Sequence, residues 1–327
     1  MSWPSYVCPR CRGALRTEQE GFRCPACVAH YPVVAGIPDF RIFPDPWIGL
    51  EEDRAKALRV EAAIAGLDFE ASVRRYWEMT PETPVALSER YVAHVTGAAA
   101  RSRQWLAGLP PAAPGRWLEL GCGTGDLLAA APSEVSIVGT DIALRWLVVA
   151  RKRPLPRDGR LPLVCCCAEA LPFAAGQFAR VVGLGLLEHC ADPIPVCRES
   201  RRVLRPGGDL AVRTVNRFSL LPEPHVDVWG VGFLPRGLAD RYVRWRTGRG
   251  YRHHRPLSGR ELRGAMVAAG FRQVRVGAAR ALEAEQARLG RWTRRAVPWY
   301  DASRRLPVAR GALALVAPLL EASGVAP

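Results

Sequence analysis

The stretch that most constrains this chain of 327 residues is Arg-Trp-Leu-Glu-Leu-Gly-Cys-Gly-Thr-Gly-Asp-Leu-Leu at 116–128. Trp117, Leu118 and Leu120 form a short apolar run that reads as a buried parallel strand, and Gly121, Gly123 and Gly125 follow where that strand must turn into a helix. Glycines spaced by two let the backbone turn tightly and let a ligand approach the main chain, because no Cβ stands between them. A dinucleotide fingerprint would read G-x-G-x-x-G and set a pyrophosphate on a helix N-terminus. Here an acid, Glu119, stands on the strand. It would repel a diphosphate and suits a ligand that carries an ammonium group.

The rest of the middle of the chain follows with alternating strand and helix patterns. A second strand over 135–141 ends in Asp141, sixteen positions after Gly125, where a carboxylate can accept hydrogen bonds from both hydroxyls of a ribose. A third strand over 163–167 carries Cys165, Cys166 and Cys167. Alternate residues of a strand face opposite sides, so these thiols do not converge on one metal and read as small buried apolar groups. A fourth strand over 179–184 leads into Leu186-Leu-Glu-His-Cys-Ala-Asp192, at the strand end where open α/β sheets place their ligands. His189 there is either a base or a residue that orders the loop. A helix over 194–204, the turn Arg205-Pro-Gly-Gly208 and a fifth strand over 209–215 come next, followed by Asn216 and Arg217 as substrate contacts or turn residues. The segment 217–257 is irregular and rich in Trp, Tyr, His, Arg and Pro, and reads as an inserted lid carrying His225, Asp227, Trp229, Arg241, Tyr242, His253 and His254. A helix over 258–269 and a strand over 271–276 close the pattern, and no seventh strand is legible.

Taken together, the glycine loop, the acid of the second strand, Ala168-Glu-Ala-Leu-Pro-Phe173, the Leu-Glu-His turn and Leu-Arg-Pro-Gly-Gly resemble the class I S-adenosylmethionine-dependent methyltransferases of the type 11 kind. The resemblance implies an α/β doubly wound, mostly parallel sheet, with S-adenosyl-L-methionine as cofactor. It implies cofactor contacts from Glu119, Gly121, Cys122, Gly123 and Gly125 on the methionine part, Asp141 on the ribose, Ile142, Cys167 and Ala168 around the adenine, and Leu184. Cys167 stands where the family usually has the Asp that holds the adenine amino group, and Ala179 replaces a second Asp. Adenine recognition is then expected from the backbone of Ala168. Gly185 occupies the place of an extra Glu that some quinone-precursor O-methyltransferases use to hold a divalent metal, so metal assistance is not expected. The bases considered for a hydroxyl acceptor are His189 and the lid histidines His225, His253 and His254.

Ahead of this domain, Cys8-Pro-Arg-Cys11 and Cys24-Pro-Ala-Cys27 form two C-x-x-C turns separated by twelve residues. Two such turns supply the four thiolates of a closed tetrahedral site, so a structural Zn2+ is expected. With Tyr31-Pro-Val and Gly36-Ile-Pro-Asp-Phe40, residues 1–45 resemble the zinc ribbons of the tRNA-methyltransferase-activator type, departing from them at Val28, where glycine often follows the last ligand. Between ribbon and first strand, 46–112 reads as a linker and helical cap, with helices over 51–65, 70–79 and 86–106, the second stopped by Pro81. Tyr76 and Trp77 either close the cofactor pocket or pack between helices. The domain plan is thus 1–45 ribbon, 46–112 cap, 113–280 catalytic domain with lid 217–257, and 281–327 as a C-terminal extension.

Charge is unevenly placed. The net charge is +15, and between 236 and 310 nineteen arginines face five acids. A concentrated basic region suits an anionic partner. The start of the chain lacks the charged and apolar regions of a signal peptide, so a cytoplasmic protein with ten reduced cysteines is expected. In the tail, Arg291, Trp292, Arg294, Arg295, Trp299, Arg304 and Arg305 precede an apolar run over 306–320 that includes Leu313, Leu315 and Leu319. It falls short of the ~20 residues of a spanning helix. It either docks on the anionic inner face of the membrane or packs on the catalytic domain. The expected acceptor is the hydroxyl of a small-molecule, sugar or lipid-linked compound. The alternatives are a base of ribosomal or transfer RNA, and a noncatalytic partner that keeps the fold.

Overall fold

The computed structural model describes residues 4–80, 83, 85–155, 161–286 and 290–327. Pro81, expected as a helix stop, lies outside the described residues, as does the side chain of Trp292. The first sheet is antiparallel and small, in the order β1 (Arg16–Glu18), β2 (Gly21–Arg23), β3 (His30–Val34), β4 (Ile37–Pro38). Each C-x-x-C turn ends in a residue with left-handed backbone, Arg12 at φ 65° and Val28 at φ 58°, which folds the chain back so that Cys24 N–H donates to Ala29 O at 2.9 Å.

The second sheet has seven strands: β5 (Trp117–Leu120), β6 (Ile137–Asp141), β7 (Leu163–Cys165), β8 (Phe178–Leu184), β9 (Leu204–Val215), β10 (Arg272–Ala278) and β11 (Leu319–Val325). Their spatial order is β10-β11-β9-β8-β5-β6-β7, with β5, β6 and β7 parallel and β11 antiparallel to both β9 and β10. This is a Rossmann-like methyltransferase topology. All four residues of β5 are buried, as expected for a parallel strand covered on both faces. Gly139 in β6 is closely packed: a Cβ there would lie 2.5 Å from Leu128 Cδ1 and 3.0 Å from Cys122 Sγ, so those side chains would have to shift.

Several sequence expectations are corrected. The strand that could not be read is β11, at the end of the chain. The apolar run at 306–320 is not one helix: the helix Pro307–Val316 ends before Pro318, and Leu319 onward enters the sheet. The cap helix expected over 86–106 is two, Val85–Thr96 and Ala98–Leu106, because Gly97 interrupts it. The lid is not irregular throughout; it holds the helix Arg236–Thr247, ended by Gly248 at φ 72°. The third strand stops at Cys165, leaving Cys166 and Cys167 beyond it, and β9 begins at Leu204 with Gly207 at φ 77° near its head.

The chain divides into two compact units, Met1–Val182 with Arg202–Gly208, and Gly183–Arg201 with Asp209–Pro327. In the first, the ribbon is continuous with β7: Asp39 pairs with Cys165, Phe40 N–H donates to Cys165 O at 2.8 Å, and Tyr6, Phe22, Phe40 and Phe173 pack as one aromatic cluster. Tyr76 and Trp77 are packing residues. Tyr76 lies 4.1 Å from Trp146 between ring centroids, and Trp77 stacks on Tyr91. In the second unit, Val226, Val228, Val231, Val243 and Tyr251 make a small core for the lid.

Candidate active site and metal centre

The glycine loop leaves β5 with Gly121 at φ 66°, Gly123 at φ 47° and Gly125 at φ 76°, all left-handed. A Cβ on Gly123 would meet nothing within 4 Å, so the main chain there is open to a ligand. The loop is held by Asp141, whose Oδ2 accepts from Gly123 N–H at 2.8 Å and whose Oδ1 accepts from Ala143 N–H at 2.8 Å. Burial pushes the Asp141 carboxyl up, against those two N–H donors. Beneath the loop Glu119 is buried, and its Oε2 accepts no hydrogen bond among the described residues. Burial, with Asp126 and Asp141 close by, pushes its carboxyl well above the ordinary range. A buried acid with an unused oxygen beside an open glycine turn fits a ligand bearing an ammonium group.

The neighbouring residues expected around an adenine lie in the same unit. Ile142 and Ala168 are half-buried, and Cys122 and Cys167 are buried. Burial pushes the Cys167 thiol up to about 11, and its S–H donates to Phe43 O at 3.6 Å. Ile142 O accepts from Arg41 Nη1 at 3.0 Å, and this arginine belongs to a buried network that sequence reasoning missed. Arg41 pairs with Asp39 at 2.8 Å and Asp53 at 2.6 Å, while Arg145 pairs with Asp53 at 2.8 Å and Asp45 at 2.9 Å. Five charges taken out of water are tolerable only because each is paired and hydrogen-bonded. The exit of the ribbon is thereby tied to the residue after Asp141. Leu184, the last residue of β8, is half-buried and belongs to the second unit.

Cys8, Cys11, Cys24 and Cys27 place their sulfurs within 4.8 Å of one another, with Cys8 and Cys27 at 3.5 Å and Cys11 and Cys24 at 3.4 Å. Four thiolates bound at about 2.3 Å to a tetrahedral ion would sit about 3.8 Å apart. The cluster therefore fits a closed zinc site.

In the second unit the sequence candidates sort clearly. His189, His225 and His254 gather with ring centroids 4.9, 5.2 and 4.4 Å apart, whereas His253 is exposed and is not one of the three. His225 Nδ1 lies 2.6 Å from Glu223 Oε1, and the other oxygen of Glu223 accepts from His225 N–H at 2.9 Å. Burial opposes charge on His225, but the Glu223 carboxylate holds it above its ordinary range. Burial, then His225 and His189, lower His254 to about 3. Glu223, two residues before His225, was not among the candidates. Beside His254 lies a cavity of about 460 Å³ lined by Arg217, Arg236, Arg252, Arg255 and Tyr251 among others. Asn216 is buried; its Nδ2 donates to Ala317 O at 2.8 Å and ties β9 to the segment before β11.

Residues 91–276, more than half of the chain, match the family model described as a methyltransferase domain. The chain belongs to this methyltransferase family. It is 34% identical over 134 residues to the ubiquinone biosynthesis O-methyltransferase of Pseudomonas aeruginosa, covering 38% of this chain and 55% of that one. To the protein of the same name from Parvibaculum lavamentivorans it is 29% identical over 133 residues, 38% and 51% of the two chains. The chain thus spans about half the length of these curated relatives. Among solved structures it is similar to an S-adenosylmethionine-dependent methyltransferase from Mesorhizobium loti (TM-score 0.46, 19% identity, 69% of this chain and 97% of that one). It is also similar to phosphoethanolamine N-methyltransferase 2 of Haemonchus contortus in complex with S-adenosyl-L-methionine (0.44, 17%, 71% and 52%). The methyltransferase is S-adenosylmethionine-dependent, and the open loop with the unsatisfied Glu119 oxygen fits that cofactor's amino group.

Proposed function

We propose that this methyltransferase methylates a hydroxyl oxygen of a small, anionic acceptor, free or lipid-linked. The cofactor supplies an electrophilic methyl group on a sulfonium that already carries the positive charge. Glu119 would receive the cofactor's ammonium group, the Gly121 to Gly125 backbone its methionine part, and Asp141 the ribose hydroxyls through the lone pairs its two N–H donors leave. Ile142 and Ala168 would flank the adenine. The histidine cluster activates the acceptor's hydroxyl for loss of its proton. Orientation is worth roughly 7 to 11 kcal/mol when the reacting atoms are aligned, so most of the rate comes from holding the acceptor. The arginine-lined cavity beside His254 supports an anionic acceptor, and the two relatives named above, both O-methyltransferases, support oxygen.

The observation that carries the reading is the buried, unsatisfied Glu119 oxygen under an open glycine turn. Titration calorimetry with S-adenosylhomocysteine tests it: binding is expected, weakened about ten- to a hundredfold in Glu119→Gln, on the scale of one hydrogen bond to a charged group. No binding by the wild-type chain would sink the assignment. Labelled methyl donor added to cell extract, then split into RNA, lipid and small-molecule fractions, identifies the acceptor. Label confined to RNA would replace the hydroxyl reading by base methylation, and cofactor binding without any turnover would make the chain a noncatalytic partner.

A second reading concerns place. No helix of the described residues is long and apolar enough to cross a membrane. We infer that the C-terminal helices attach the methyltransferase to the anionic inner face of the membrane from the cytoplasm. Trp299, Leu306, Val308 and Leu315 are 79%, 59%, 90% and 64% exposed, a group of large apolar side chains on two short helices and the turn between them that supports attachment to a surface. Arg291, Arg294, Arg295, Arg305 and Arg310 are exposed nearby. Basic groups at an anionic surface contribute about 1 kcal/mol each. Two expected contributors are withdrawn: Arg304 donates to Ala278 O, and Leu319 belongs to β11. Co-sedimentation with anionic vesicles should fall when Trp299, Leu306 and Val308 are changed to serine. Equal recovery in the supernatant for both proteins refutes attachment.

A further inference from the structure

We propose that His189, His225 and His254 form a second metal site, a three-histidine centre for a divalent transition metal of the zinc class, with a position left open for the acceptor's oxygen. The proposal rests on the reading of this cluster as the group that activates the acceptor.

The geometry is that of a nearly assembled site. One ligand nitrogen from each ring lies within 4.8 Å of the others. Nitrogens bound at about 2.0 to 2.1 Å to a tetrahedral ion stand about 3.4 Å apart, so small rotations of the side chains complete the site. Imidazole suits zinc and its neighbours in the first transition row, not magnesium or calcium. The site differs from the carboxylate position that Gly185 excludes.

The surroundings supply what a metal-binding histidine needs behind it. Ligating imidazoles usually give their other ring nitrogen to a carboxylate or carbonyl, which fixes tautomer and orientation. His225 meets Glu223 through Nδ1 at 2.6 Å, which presents Nε2 as the lone-pair donor, and Glu223 is itself buried and fixed by the backbone N–H groups of His225 and Val226. The other two histidines are held to each other through the chain. Arg255 N–H donates to Glu188 O at 2.5 Å and its guanidinium to Ala191 O, so the residues following His254 are bound on both sides of His189. Thr214 Oγ1 donates to the buried Glu188 Oε2 at 2.6 Å and anchors the same turn. Tyr251 stacks on His254 at 5.2 Å with the rings 12° from parallel.

Three protein ligands, not four, mark a site that keeps a place for a ligand from outside, in contrast to the closed cysteine cluster of the ribbon. His254 also lines the arginine-rich cavity, so an anionic acceptor in that cavity lies beside the metal. A dication lowers the pKa of an oxygen ligand, so the hydroxyl loses its proton to water and becomes a better nucleophile at neutral pH.

The test is metal stoichiometry of the full chain loaded with zinc and dialysed, read by elemental analysis. Two zinc ions per chain are expected: one in the ribbon and one in the lid. His225→Ala and His254→Ala should each retain one, the exposed neighbour His253→Ala two, and Glu223→Gln should bind the second ion about ten- to a hundredfold more weakly. Cobalt loading reports which ion is lost, because only the ribbon site gives thiolate-to-cobalt charge transfer. That band should persist in the histidine variants and show that they are folded. One zinc per wild-type chain, or two in the His225→Ala, His254→Ala double variant, overturns the proposal. S-adenosylhomocysteine titration of the same preparations separates the two readings: two zinc ions without cofactor binding leaves the metal site standing and removes methyl transfer.

Discussion

At Val28 a β-branched side chain sits where the backbone is left-handed, at φ 58°, with 72% of its surface exposed. A non-glycine residue in that conformation costs roughly 1 to 2 kcal/mol, and little packing compensates for it at this exposure. Glycine would relieve the strain while adding about 0.5 to 1 kcal/mol of unfolded-state entropy. Val28→Gly should therefore stabilise the zinc-loaded chain by about 1 kcal/mol in thermal or urea unfolding. Unchanged or lower stability would mean that the second C-x-x-C turn carries no strain. The departure from the usual glycine was visible in the sequence. Its consequence needed the backbone angle.

The helix Gly259–Ala268 shows how one element is held to the lid by its first turn. Ser258 Oγ accepts from Glu261 N–H at 3.2 Å and Glu261 Oε2 accepts from Ser258 N–H at 2.8 Å, a reciprocal cap, while Arg236 Nη2 from the lid helix reaches Glu261 Oε1 at 2.7 Å. Burial would raise the Glu261 carboxyl, but Arg236 and the Ser258 N–H bring it down to about 2. A carboxylate depressed below its unfolded value stabilises the fold above about pH 4.5, and that contribution is lost as pH falls from there towards 2. Glu261→Gln should cost about 1 kcal/mol at neutral pH and make the fall in stability between pH 4.5 and 2 shallower. Parallel curves for the two proteins, measured by urea unfolding at each pH, would show that the ion pair and cap contribute nothing.

Across the whole molecule, the ribbon is not an appendage joined by a linker. Its last residues pair with β7, and Arg41 at its exit binds Ile142 O inside the paired network of Asp39, Asp53, Arg145 and Asp45. Loosening the zinc knuckles should then reach the cofactor loop. Cys24→Ser, used instead of a chelator because a chelator would strip any second metal as well, is expected to lose the ribbon zinc and weaken S-adenosylhomocysteine binding by about tenfold or more, since breaking one buried ion pair alone costs about 3 to 5 kcal/mol. Loss of the zinc with unchanged affinity in calorimetry would show that ribbon and loop are independent.

The sequence by itself determined what depends on short-range spacing. The strand, three-glycine turn and acid at 117–141 dictate a parallel α/β unit with a cofactor turn, and the two C-x-x-C pairs dictate a four-thiolate site, because each signal is written within one or two elements. Tertiary structure alone decided what depends on distant pairing. Leu319–Val325 is too rich in small and polar residues to show as a strand, and becomes one only because β9 and β10 offer it an antiparallel place between them. Asp39, Arg41, Asp53 and Arg145 carry no local signal of a network until the fold buries them against one another. His189, His225 and His254 were each a lone histidine in the sequence, and the meeting of His254 with His189 follows from the backbone hydrogen bond of Arg255 N–H to Glu188 O, which no local pattern encodes.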